Sequence, residues 1–143
     1  MVFDPNNSVV KLCAEGMNKE AEGENEEASL FFEKAWNEAC NDQERFIAAH
    51  YLARHQNDVN NKLKWDQQAL EIALRIEDAS VKAYYPSLYL NVAKCYEDLG
   101  NMELAKRNYS LASSFTQFLA EDGYGKMIKA GIASGIARMA VNK

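Results

Sequence analysis

From Val9 to Val141 the apolar residues recur at spacings of three and four, and nowhere do they alternate long enough to read as a strand. That period commits the chain to helices whose apolar stripes must cover one another. Only two prolines and seven glycines are present, too few for the turns of an all-β domain. The expected fold class is therefore all-α. At 143 residues, 48% apolar and 26% charged, the composition is that of a single globular domain spanning 1–143. A chain of this size buries roughly two thirds of its unfolded surface and needs no metal or disulfide staple.

The punctuation divides the pattern into seven helices. Ser8 stands where an N-cap belongs, and Val9, Leu12, Cys13, Gly16 and Met17 form the first stripe, which Gly23 ends. A second helix covers 24–39, and Asn41-Asp42 caps a third that carries Phe46, Ala49, His50 and Ala53 and closes near Asn57-Asp58. The fourth covers 60–76 on Trp65, Ala69, Ile72, Ala73 and Ile76. The fifth begins near Asp78 or Ser80 and reaches Leu99, with Pro86 either kinking it or starting it. Gly100-Asn101 is the clearest stop. The sixth runs to Leu119, and the last covers 124–141 with Ile128, Ile132, Ile136 and Ala140 spaced four apart.

Within 86–119, Tyr89, Val92, Ala93, Tyr96, Gly100, Asn101, Ala105, Tyr109 and Ala112 set large residues around small ones at fixed offsets. This segment resembles a tetratricopeptide repeat. Leu12, Gly16, Gly23, Ala28, Phe32 and Ala35 fit the same frame over 9–42, and Phe46, Ala49, Ala53, Asp58 and Ala69 fit it over 43–76. In that middle copy His50, Lys62 and Asp66 replace residues that the family keeps small or aromatic. An insertion at 77–85 precedes the last copy, as in the longer-helix variety of the repeat. The resemblance implies a right-handed superhelical stack of three helix pairs, closed by the last helix as a cap. The cap's isoleucines are expected to pack around Leu111, Phe115 and Phe118.

Little in the sequence points to catalysis. Cys13, Cys40 and Cys95 are odd in number and form no CxxC, so buried, reduced thiols are expected rather than disulfides or zinc ligands. His50 and His55 face different sides of a helix and have no metal-spaced partner; His50 reads as a hydrogen-bonded core residue. The glutamates at 15–27 read as a solvated acidic edge at helix ends. Gly123-Tyr124-Gly125-Lys126 follows a helix rather than a strand and lacks the Walker spacing, so it reads as a turn. Gly131 and Gly135 let the last helix approach the sixth closely. No glycine-rich unit for S-adenosylmethionine or a nucleotide occurs, which argues against a methyltransferase or any other enzyme and implies no cofactor.

Residues 1–42 hold ten acidic and three basic residues, and 43–143 hold eleven and thirteen, within a net charge of −5. Nucleic acid is not an expected partner, and an anion site belongs to the later part of the chain. The N-terminus lacks a signal peptide's basic start and apolar stretch, and no apolar run suits a membrane; a cytoplasmic location is expected. In a repeat stack the first helix of each pair lines the concave face. Ile47, Tyr51, Arg54 and His55 from the third helix and Ser87, Leu90, Asn91, Lys94 and Asp98 from the fifth are the candidate groove. Arg54, Asn91 and Lys94 would donate to a carboxylate or peptide backbone, with Tyr51 and Leu90 giving apolar contact. The leading expectation is a non-catalytic module binding another protein or peptide there, through an acidic group. The alternative is an accessory or sensor subunit holding a small anionic ligand in the same groove. Homodimerisation through the last helix competes with its role as a cap.

Overall fold

The computed structural model describes residues 3–141, so the reading of Met1 and Val2 lies outside it. Among the described residues there are seven α-helices, two short 3-10 helices and no strand. The helices are α1 (Ser8–Ala21), α2 (Asn25–Glu38), α3 (Asp42–Ala53), α4 (Val59–Arg75), α5 (Tyr85–Asp98), α6 (Met102–Ser114) and α7 (Gly123–Val141). Two compact units divide the chain between Glu77 and Asp78. The first holds the helix pairs α1/α2 and α3/α4, and the second holds α5/α6 with α7 packed on both.

Local chemistry explains the boundaries. Asn7, not Ser8, caps α1: its side chain accepts from the amides of Val9 and Val10, which makes Ser8 the first helical residue. Gly23 and Gly100, at φ +80° and +82°, close α1 and α5 in the same way. In each closure the amide two residues past the helix's last turn reaches back, Glu24 to Lys19 and Asn101 to Tyr96, both at 2.9 Å. Pro86 starts a helix rather than kinking one. It lies in the first turn of α5, where its missing N–H leaves no partner unpaired, and the 3-10 helix Ala79–Tyr84 precedes it.

Two elements end earlier than their apolar pattern, and a third, α7, buries a line other than its isoleucine row. α3 stops at Ala53, so Arg54 is its C-cap and His55 lies beyond it. α6 stops at Ser114, because the hydroxyls of Ser114 and Thr116 donate to the carbonyls of Leu111 and Ser113 and compete with the helix ladder. A 3-10 turn, Thr116–Phe118, replaces its expected last turn. α7 buries Gly125, Ile128, Ile132, Gly135 and Met139, while Ile136 is 39% exposed. Strict four-residue spacing rotates about 40° per step around a helix of 3.6 residues per turn, so the isoleucine row drifts off the core.

The first unit's core joins Val9 and Cys13 to Ala28, Phe32 and Ala35 and to Ala48 and Leu52. In the second, Tyr109 is fully buried among Ala93, Ala105 and Met139. Ala112, Leu119, Ile128 and Ile132 form a second cluster there. The ring of Tyr109 occupies the space that a Cβ on Gly135 would need, so this glycine sets how closely α7 approaches α6. Phe115, expected beneath the cap, instead stacks on Tyr89 with centroids 5.8 Å apart. Cys13 and Cys95 are buried, and burial pushes the Cys13 thiol up to about 12. Cys40 is exposed, contrary to expectation. No helix among the described residues is long and apolar enough to cross a membrane.

Candidate functional site

The structure gathers the four groove residues of the first unit, but around a partner inside that unit. Glu20 of α1 accepts from Arg54 Nη2, and its other carboxylate oxygen lies 2.6 Å from His55 Nε2. The Arg54 guanidinium sits 4.6 Å above the Tyr51 ring, which itself stacks on Phe32 at 5.1 Å. Ile47 and Tyr51 pack against the first unit's core. These side chains tie the end of α3 to α1 and α2. Arg54 and His55 still border a polar depression of about 260 Å³, together with Asn25, Ser29 and Asn57.

His50 departs from its expected hydrogen-bonded state. Its Nδ1 is fully enclosed and has no partner, and the ring lies between Phe46 and Tyr51. Burial first, then the charges of Arg54 and Lys62, lower its pKa to about 4, so it is neutral near physiological pH. On α4, the carboxylate of Asp66 is buried and pairs with Lys62 Nζ at 2.6 Å.

In the second unit only part of the predicted set remains on the surface. Ser87 is buried and its hydroxyl donates back to the Tyr84 carbonyl at 3.1 Å, within the first turn of α5. Leu90 is covered by α7: its Cδ2 faces the open side of Gly131. Asn91 is half-buried. Lys94 and Asp98 pair with each other at 2.8 Å, both exposed. Behind them Glu97 receives two bonds from Arg138 of α7, at 2.8 and 3.0 Å, and one from the Tyr109 hydroxyl at 2.6 Å. The Arg138 bonds, with help from Tyr109, hold the Glu97 carboxyl down to about 2.

Two larger openings lie elsewhere. A cleft of about 450 Å³ opens between α2, α3 and α4, walled by Trp36 and Ile72 and rimmed by Arg45, Lys64 and Arg75. Gln67, Gln68 and Glu71 complete it. An apolar groove of about 280 Å³ lies between α6 and α7, lined by Tyr109, Ile136, Met139 and Ala140 with Lys106 and Ser110 at its edge. Sequence reasoning missed both. The first had a signal, since Lys64, Gln68, Glu71 and Arg75 share one face of α4 at helical spacing. The second had none, because it exists only where Ile136 drifts off the core line. No grouping of three His, Cys, Asp or Glu side chains suited to a metal occurs among the described residues. No protein family, curated protein or solved structure matches the chain.

Proposed function

We propose that this chain is a non-catalytic, tetratricopeptide-like interaction module of the cytoplasm, and that it holds a helical segment of a partner protein in the groove between α6 and α7. The exposed apolar surface of α7 carries this reading. A helix that is apolar on every side calls for cover on every side. α7 buries one face on α5 and α6, yet Met127 is 60% exposed and Ile136 39%. Lys126, Lys129 and Arg138 are the only charged residues of α7, and Lys106 edges the groove. An amphipathic helix with acidic flanks complements that surface, its apolar face in the groove and its carboxylates toward the lysines.

The reading moves the contact surface away from the residues first picked out. Arg54 is engaged by Glu20, Leu90 is covered, and Lys94 is paired to Asp98. The test is affinity capture followed by calorimetry with the purified partner. Ile136→Glu is expected to abolish binding and Lys106→Glu to weaken it, with Lys11→Glu on α1 as a neutral control. Sedimentation of the free chain identifies the other occupant: a dimer that Ile136→Glu dissolves would make the partner a second copy. Equal losses in all three variants would reject the groove.

A further inference from the structure

The cleft between α2 and α4 lies in the first unit and does not depend on the partner groove. Its polar lining is heavily biased toward donors. Arg45, Lys64, Arg75, Gln67 and Gln68 all offer N–H groups, and Glu71 is the single carboxylate. That bias runs against its surroundings, because residues 1–77 carry fifteen acidic and eight basic residues. Three of those eight cations stand around one opening.

Two of them are held in place. Asp42, the first residue of α3, lies 3.1 Å from Arg75 Nη2 and 3.6 Å from Arg45 Nη1, with the same oxygen serving both. A guanidinium has five N–H donors, so one contact to Asp42 orients each arginine and leaves the rest free. Lys64 and Gln68 make no hydrogen bond or ion pair among the described residues. Trp36 is braced edge-on by Trp65, with ring centroids 5.0 Å apart, and gives the opening a fixed aromatic wall beside Ile72. The volume, about 450 Å³, lies within the range of sites for small organic ligands.

We propose that this cleft binds a small organic oxyanion, a carboxylate or phosphate monoester carried on a flat apolar body. The oxyanion sits between Arg75, Arg45 and Lys64, and the ring or chain lies against Trp36 and Ile72. The Gln68 amide bonds a remaining acceptor. An inorganic ion satisfies the cations but leaves the aromatic wall bare, so it binds more weakly.

Trp36 and Trp65 are the only two tryptophans, which makes intrinsic fluorescence a direct reporter of the cleft. The full chain is titrated with phenyl phosphate, phenylacetate and inorganic phosphate, each to millimolar concentration. Saturable change is expected with at least one aromatic probe, at lower concentration than with inorganic phosphate, and the better aromatic probe identifies the oxyanion. Arg75→Ala and Lys64→Ala each remove a charge-assisted bond and are expected to weaken binding about tenfold or more. Arg107→Ala, an exposed cation of α6 in the other unit, leaves it unchanged. Circular-dichroism melting verifies that each variant is folded, and both substituted cations are exposed side chains whose loss the fold tolerates. No saturable response to any probe overturns the proposal, as does equal weakening by Arg107→Ala.

Discussion

His50 is the residue at which this fold is most exposed to acid. It lies in the last turn of α3, and its enclosed Nδ1 has no partner. Folding holds its pKa near 4 against an ordinary 6.5. The unfolded chain therefore takes up the proton first, and stability is lost as pH falls from 6.5 toward 4. Above that window the folded and unfolded states both keep the ring neutral, and the term vanishes. A shift of this size corresponds to about 3 kcal/mol when fully expressed. The depressed carboxyls of Asp42, Glu44 and Glu97 act with the same sign but lower in pH, because their ordinary values lie near 4. Urea midpoints measured across the range are expected to fall in two stages. His50→Leu removes the upper stage, and because it also removes an unsatisfied buried nitrogen, it raises stability at neutral pH by about 1–3 kcal/mol. A variant that keeps the upper stage would assign it to another group.

At the scale of elements, α7 is an integral part of the second unit, and its contributions are unequal along its length. Ile132 is 2% exposed and Ile136 39%, although the sequence places them on one row. Ile132→Ala is expected to cost about 2–5 kcal/mol in chemical denaturation, and Ile136→Ala less than half as much. Equal costs would mean that the isoleucine row, and not the line through Gly135 and Met139, faces the core. Arg138→Ala removes two of the Glu97 carboxyl's bonds and leaves that of the Tyr109 hydroxyl; the partly exposed, bidentate geometry makes about 1 kcal/mol the expected loss, measurable in the same denaturant series. Elements of this kind were legible where one residue decides locally. Gly23, Asn41 and Gly100 each fix a boundary through their own backbone or side chain and were read as doing so, whereas the sequence left open whether Pro86 kinks a helix or starts one. Contacts set by distant partners were not legible. Arg54 looked like a free groove cation because Glu20 is 34 residues away. Leu90 looked exposed because its cover, Gly131, belongs to a helix that follows a whole pair later. His50 and Asp66 stood out in the sequence as departures from the pattern it resembles, but the burial of the Asp66 carboxylate and of the His50 Nδ1 did not.

Across the whole molecule, the acidic excess falls inside the first compact unit, since the balance of −7 already belongs to residues 1–42. Residues 1–77 carry a balance of −7 and residues 78–143 one of +2, and the compact units separate between Glu77 and Asp78. The donor-rich cleft lies in the acidic unit and the apolar groove in the basic one. Between the units the chain runs from the last turn of α4 through Glu77, Asp78, Ala79 and Ser80, all exposed, before Val81 is buried. Asp78 accepts from the amide and hydroxyl of Ser80 there. Exposed connections with few tertiary bonds open first under native conditions, and proteases find them there. Arg75 and Lys82 flank this segment, and both are exposed. Limited trypsin digestion is therefore expected to cut first after Arg75 or Lys82, before the exposed lysines within α2 and α4 are touched. Lys34 and Lys64 provide the contrast, since they are equally exposed but sit inside helices whose apolar faces are packed. Mass spectrometry of the earliest fragments reads the order directly. First cuts after Lys34 or Lys64 would show that α2 or α4 opens more readily than the connection, and that the division at Glu77 does not mark the weakest point of the chain.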